Sequence, residues 1–127
     1  AIFEELWEHF AGPAAWRPLP SGRDLARTAL DAGLTMALAS NFDDRLHGIA
    51  ATIEPLSWAK HVFVSAEIGW RKPAADFFRT VEGRLGLAPR ELLLVGDDPQ
   101  LDVAAGRRAG WHAWDVAAGS AITRDRP

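Results

Sequence analysis

The apolar positions of this chain follow two rhythms that alternate along its length. Ile2, Phe3, Leu6, Trp7 and Phe10 recur at helical spacing, which predicts one buried stripe on a helix of about 10 residues. Gly12-Pro13 stops that helix, and a linker with Trp16, Pro18 and Pro20 follows. Ser21 opens a second helix, with Asp24 in a capping-box position and Leu25, Ala29 and Leu30 as its buried stripe. Gly33 supplies its stop. Leu34 to Ala39 is then apolar except for Thr35, as a strand buried on both faces would be.

The alternation continues. Asp43 to Glu54 reads as a helix with Leu46, Ile49, Ala50 and Ile53 inward, ended by Pro55. His61 to Ser65 is a short strand rich in β-branched and aromatic residues. Pro73 suits the first turn of a helix that buries Phe77, Phe78, Val81 and Leu85. Glu91 to Val95 is a third strand, Asp102 to Ala109 a small-residue helix closed by Gly110, and Trp111 to Val116 a fourth strand. Strands alternating with helices predict an α/β fold: a doubly wound, Rossmann-like parallel sheet with four strands in this chain. The expected organisation is a cap end and linker over residues 1–20, a core over 21–116 and a tail over 117–127.

Composition narrows the function classes. The chain has 127 residues and a net charge of −3 with both signs interspersed, so it lacks the basic stripe of a nucleic-acid binder. It has no cysteine, which excludes disulfides and thiolate metal sites and fits a reducing compartment. No apolar run approaches the roughly 20 residues of a membrane span. Glu4, Glu5 and Glu8 occupy the place of a signal peptide's basic region. A cytoplasmic protein that binds neither membrane nor nucleic acid is the expectation. The four histidines have no mutual ligand spacing, and the six tryptophans read as packing residues.

In a parallel sheet the ligand site lies beyond the carboxyl ends of the strands, so the residues placed there carry the chemistry. The first strand delivers Ser40-Asn41, and the loop after the second carries Arg71-Lys72-Pro73. The third delivers Gly96-Asp97-Asp98, with Asp102 one helical turn on. A hydroxyl and turn N–H groups can hold phosphate oxygens. A lysine neutralises phosphate charge, and clustered carboxylates suit Mg²⁺. Each has a plainer reading: Ser-Asn as turn chemistry, Lys72 as a solvated charge, Asp97-Asp98 before Pro99 as a helix N-cap pair.

Taken in order, LASNFD (Leu38 to Asp43), GWRKP (Gly69 to Pro73) and VGDDPQLDVAAGRRAGW (Val95 to Trp111) resemble the second, third and fourth motifs of the haloacid dehalogenase superfamily. The resemblance runs from about residue 1 to residue 116. It implies that Ser40 binds the transferring phosphoryl group with help from the Asn41 backbone, and that Lys72 stabilises the nucleophile and the negative charge. It implies Mg²⁺ on Asp97, with Asp98 or Asp102 adding a ligand directly or through water, or with Asp102 orienting Lys72 instead. The implied substrate is a small phosphorylated or halogenated molecule, with a Mg²⁺-dependent phosphatase ahead of a dehalogenase. The opening helix and linker would be the remnant of a helical cap.

One element of the family pattern is missing. Its nucleophile is an aspartate in a D-x-D motif at the end of the first strand. This chain has ten aspartates and no D-x-D. By the family's topology that strand lies between the strands at 34–40 and 91–96, so their facing edges call for a partner. A missing upstream segment is the first expectation, and self-association the second. On its own the chain is expected to be inert toward phosphate esters, and a non-catalytic anion- or Mg²⁺-binding module is the alternative to an enzyme.

Overall fold

The computed structural model describes residues 20–115. The expected cap helix and the tail beyond residue 115 lie outside them. Contacts divide the chain into two compact units, one ending at Glu67 and one beginning at Ile68.

The first unit opens with α1 (Pro20–Asp31). Its end is a Schellman closure: Gly33, at φ 83°, donates to the Leu30 carbonyl, and the Leu34 N–H reaches the Ala29 carbonyl. That closure corrects the expected strand. Leu34 belongs to the helix exit and is 58% exposed, and β1 begins only at Ala37, running to Ser40. Ala26, rather than Leu25, Ala29 or Leu30, is the buried residue of α1.

β1 leads to α2 (Arg45–Thr52), which buries Ile49 and Ala50. The Asp43 carboxylate receives the Arg45 backbone N–H and side-chain Nε at 3.1 and 2.8 Å, fixing the helix start. Trp58, in a short 3₁₀ turn (Leu56–Trp58), lies under the guanidinium groups of Arg27 and Arg23, 4.5 and 5.4 Å from its ring centre. β2 (His61–Val64) pairs parallel with β1 in the register Ala37–His61 through Ser40–Val64.

A single helical turn, α3 (Ser65–Ile68), follows β2. In the second unit, α4 (Ala75–Leu85) buries Phe77, Phe78 and Val81 as its periodicity predicts. It starts two residues later than Pro73 would allow. The Ala74 N–H bonds back to the Arg71 carbonyl at 2.9 Å, so Arg71 to Ala74 is a turn and Pro73 precedes the helix. Phe78 meets Trp111 edge-on at 5.1 Å, and the Trp111 indole N–H donates to Glu82 at 2.8 Å. Trp111 is therefore a packing residue, as expected. Trp70 is not: it is largely exposed.

β3 (Leu93–Gly96) pairs parallel with β4 (His112–Asp115). Between them lies a helical segment in two parts. Pro99–Ala104 forms wider, π-type turns, and α5 (Ala105–Arg108) completes it. Gly106 lets α5 settle onto the strands, because a Cβ there would sit 3.3 Å from Leu94 and 3.4 Å from Ala113. Gly110 closes the segment at φ 87°.

The architecture is the predicted α/β type, but among the described residues the four strands form two parallel pairs rather than one continuous sheet. Among the described residues, β1 and β3 are not bonded to each other. Leu93, on β3, is 46% exposed.

Candidate active site

Each strand pair ends in a rim of polar residues. In the first unit, Ser40 is the last residue of β1, opposite Val64, and Asn41 follows in a bend; both are half-buried. The next carbonyl, that of Phe42, accepts the Ala66 N–H at 3.1 Å and the Ser65 hydroxyl at 3.2 Å. These bonds tie the loop after β1 to the end of β2 and fix where Ser40 and Asn41 leave the strand.

In the second unit the sequence-predicted residues Lys72, Asp98 and Asp102 come together, and Asp97 directly precedes Asp98 in the chain. Lys72 Nζ donates to Asp102 Oδ1 at 2.5 Å. Both side chains are buried, at 8% and 7% residue exposure. A buried lysine is rare unless paired, and this pairing removes Lys72 from the class of solvated loop charges. The second oxygen, Asp102 Oδ2, accepts the Asp98 backbone N–H at 3.3 Å.

What lets an aspartate reach this place is Gly96, a residue that sequence reasoning treated only as a strand end. An ideal Cβ on Gly96 would fall 2.3 Å from Asp102 Oδ2 and 2.4 Å from its Cγ. The Asp102 carboxyl thus lies where any other residue would carry its side chain. The only sequence signal for this was a glycine ending an otherwise bulky strand.

Asp98 caps the helical segment. Its Oδ1 accepts the backbone N–H groups of Gln100 and Leu101 at 2.9 and 2.8 Å. Those two donors, Leu101 first, hold the Asp98 carboxyl below the usual carboxylate range, aided by the positive charge of Lys72. The Asp98 carbonyl accepts from both Asp102 and Val103 at 3.1 and 3.2 Å, which is the shared bond of a π-type turn. Asp97 follows the end of β3 as an exposed residue.

This geometry bears on the expected three-acid metal set. Among the described residues, no group of three or more metal-ligating side chains is spaced to hold an ion. Both Asp102 oxygens are engaged, one Asp98 oxygen is committed to the cap, and Asp97 is left as the exposed carboxylate. The donors fit a Mg²⁺ bound through one carboxylate with most of its waters retained, which is how that ion commonly binds. They do not fit a closed cage of Asp97, Asp98 and Asp102. Ser40 and Asn41 belong to the first unit, and Lys72 with the three acids to the second.

Comparison with known proteins gives the same direction. A family model described as HAD-hydrolase-like matches residues 69–126. The chain is 31% identical to human haloacid dehalogenase-like hydrolase domain-containing protein 3 over 121 residues, 95% of this chain and 48% of that protein. It is 44% identical to a phosphoserine phosphatase of Thermus thermophilus over 52 residues, 41% of this chain and 21% of that one. The structure resembles L-2-haloacid dehalogenase from Xanthobacter autotrophicus with a TM-score of 0.69 and 27% identity, covering 81% of this chain and 41% of that one. The chain thus spans about half the length of the curated relative that it matches along most of its own length. Motif order, parallel α/β architecture and these likenesses agree: the chain belongs to the haloacid dehalogenase-like hydrolase superfamily.

Proposed function

We propose that this chain carries the charge-neutralising and metal-binding part of a Mg²⁺-dependent hydrolase of small phosphate esters, and that by itself it does not turn them over. The observation that carries the reading is the buried Lys72–Asp102 pair seated against Gly96, with Asp97 exposed at the next position of the chain. A lysine so held presents a fixed positive charge, and a fixed charge stabilises phosphoryl transfer without reorganising during the reaction. Ser40 and the Asn41 backbone, at the end of β1, are assigned to phosphoryl oxygens on the strength of the family resemblance. Asp97 would hold Mg²⁺, which supplies neutralisation of phosphate charge when bound.

Covalent transfer also needs an attacking carboxylate at the phosphorus. The 127 residues contain no D-x-D to supply it, and neither Lys72 nor Asp97 can substitute for an attacking atom. A D-x-D aspartate from outside these residues would supply it. The acid at Asp97 favours the phosphatase over the dehalogenase, whose chemistry needs no metal.

The test is a phosphatase assay on the purified chain with p-nitrophenyl phosphate and Mg²⁺, alongside calorimetric titration of Mg²⁺. The expected result is no turnover, with Mg²⁺ binding that Asp97→Asn abolishes. Robust turnover lost in Asp97→Asn would overturn the inertness. Mg²⁺ binding unchanged in that variant would overturn the metal assignment.

A further inference from the structure

We propose that Asp98 is a positioning residue for Lys72, acting through its capping geometry and not through its charge or as a metal ligand. The inference rests on reading Lys72 as the charge-bearing group of the site. The connection runs through two short steps. Asp98 fixes the start of the π-type segment three times: its carboxylate accepts Gln100 and Leu101, its carbonyl accepts Asp102 and Val103, and its own N–H donates to Asp102 Oδ2. That segment then delivers the Asp102 carboxyl into the space left by Gly96, where Oδ1 meets Lys72.

A widened turn is the less favoured form of a helix, so this one depends on what pins it. With the cap gone, the first turn relaxes, Asp102 leaves Gly96, and Lys72 loses its buried bond to Asp102. A capping role and a charge role make opposite demands on the side chain. Serine and asparagine cap as well as aspartate but carry no charge. Glutamate keeps the charge but is longer and is not a preferred cap.

The chain allows a direct reading of Lys72, because it contains two lysines and the other, Lys60, is exposed. Competitive acetylation of the folded 127-residue chain, read by mass spectrometry, gives the Lys72 to Lys60 labelling ratio. Asp98→Ser and Asp98→Asn are expected to leave the ratio within about twofold of the wild-type value, since the cap survives. Asp98→Glu and Asp98→Ala are expected to raise it about fivefold or more, the change that loss of a cap supports. Should Asp98→Ala fail to fold, the serine and glutamate variants still decide. Raised labelling in Asp98→Ser, or wild-type labelling in Asp98→Glu, overturns the proposal. Because the readout is Lys72 itself, a failed phosphatase assay leaves the result intact.

Discussion

The fit of Asp102 against Gly96 predicts that Gly96→Ala is among the most damaging small substitutions available to the chain. The new methyl would fall 2.3 Å from Asp102 Oδ2, 2.4 Å from Cγ and 2.6 Å from Cβ, where heavy atoms normally keep about 3.5–4.0 Å. Either the carboxyl moves by about 1 Å or more, or β3 moves by as much. If the carboxyl moves, the 2.5 Å bond to Lys72 is lost, and one partner of a buried pair left alone costs about 3–5 kcal/mol. If β3 moves, the cost is that of overpacking, about 1–3 kcal/mol. The chain takes the lower route, so a loss of about 1–3 kcal/mol is expected, which lowers the melting temperature by roughly 5–15 °C. The measurement is urea unfolding of the 127-residue chain followed by far-UV circular dichroism. Gly83→Ala is the control: Gly83 lies within α4 with nothing within 4 Å of the added methyl. Alanine there should stabilise by about 0.5–1 kcal/mol through helix propensity. A Gly96→Ala chain within about 0.5 kcal/mol of wild type would refute the placement of Asp102.

The buried pair makes its own prediction in a double-mutant cycle. Asp102→Leu or Lys72→Met alone should cost about 3–5 kcal/mol, whereas the two together should unfold within about 1 kcal/mol of wild type or above it; additive losses would show that the two groups do not depend on each other. Acid should weaken the fold through Asp43 and Asp98. The Arg45 side chain holds Asp43 low and backbone donors hold Asp98 low, so each contributes stability above the unfolded carboxyl value of about 3.9 that fades as pH falls through its lower folded value. Melting temperatures from pH 7 to pH 3 should therefore fall less steeply in Asp43→Asn/Asp98→Asn than in wild type, and equal slopes would exclude these carboxyls.

The fold was legible where one local rule decided the outcome. Gly33, Gly86 and Gly110 all take positive φ at helix ends, and Phe77, Phe78 and Val81 form the buried stripe that their spacing announced. Strand beginnings were less legible. Leu34 looks like strand because it is apolar, but the Schellman bond to Ala29 binds it to the preceding helix, and hydrophobicity carries no record of that bond. Pro73 likewise fits a helix start, but the Arg71–Ala74 turn forms first. At the site, Lys72, Asp98 and Asp102 were singled out by motif order, while a capping role for Asp98 and a Lys72-orienting role for Asp102 stood only as alternatives to metal binding. Three acids within six residues look interchangeable in one dimension. Only the backbone shows that one caps, one pairs with lysine and one is exposed.

That division explains why an energetically poor arrangement sits at the rim of β3. A lysine and an aspartate buried together gain little over well-packed apolar side chains, and a glycine inside a strand weakens it. The π-type turn is a third departure from the favoured geometry. These three departures meet at Gly96, Asp102 and Lys72. Departures concentrated at one point are what a functional constraint produces, because scattered misfits have no reason to touch one another. The double variant of the buried pair separates the two explanations. If it folds as well as wild type, the pair is dispensable to the fold, and the reason for burying a lysine and an aspartate together lies in what the ammonium does rather than in stability.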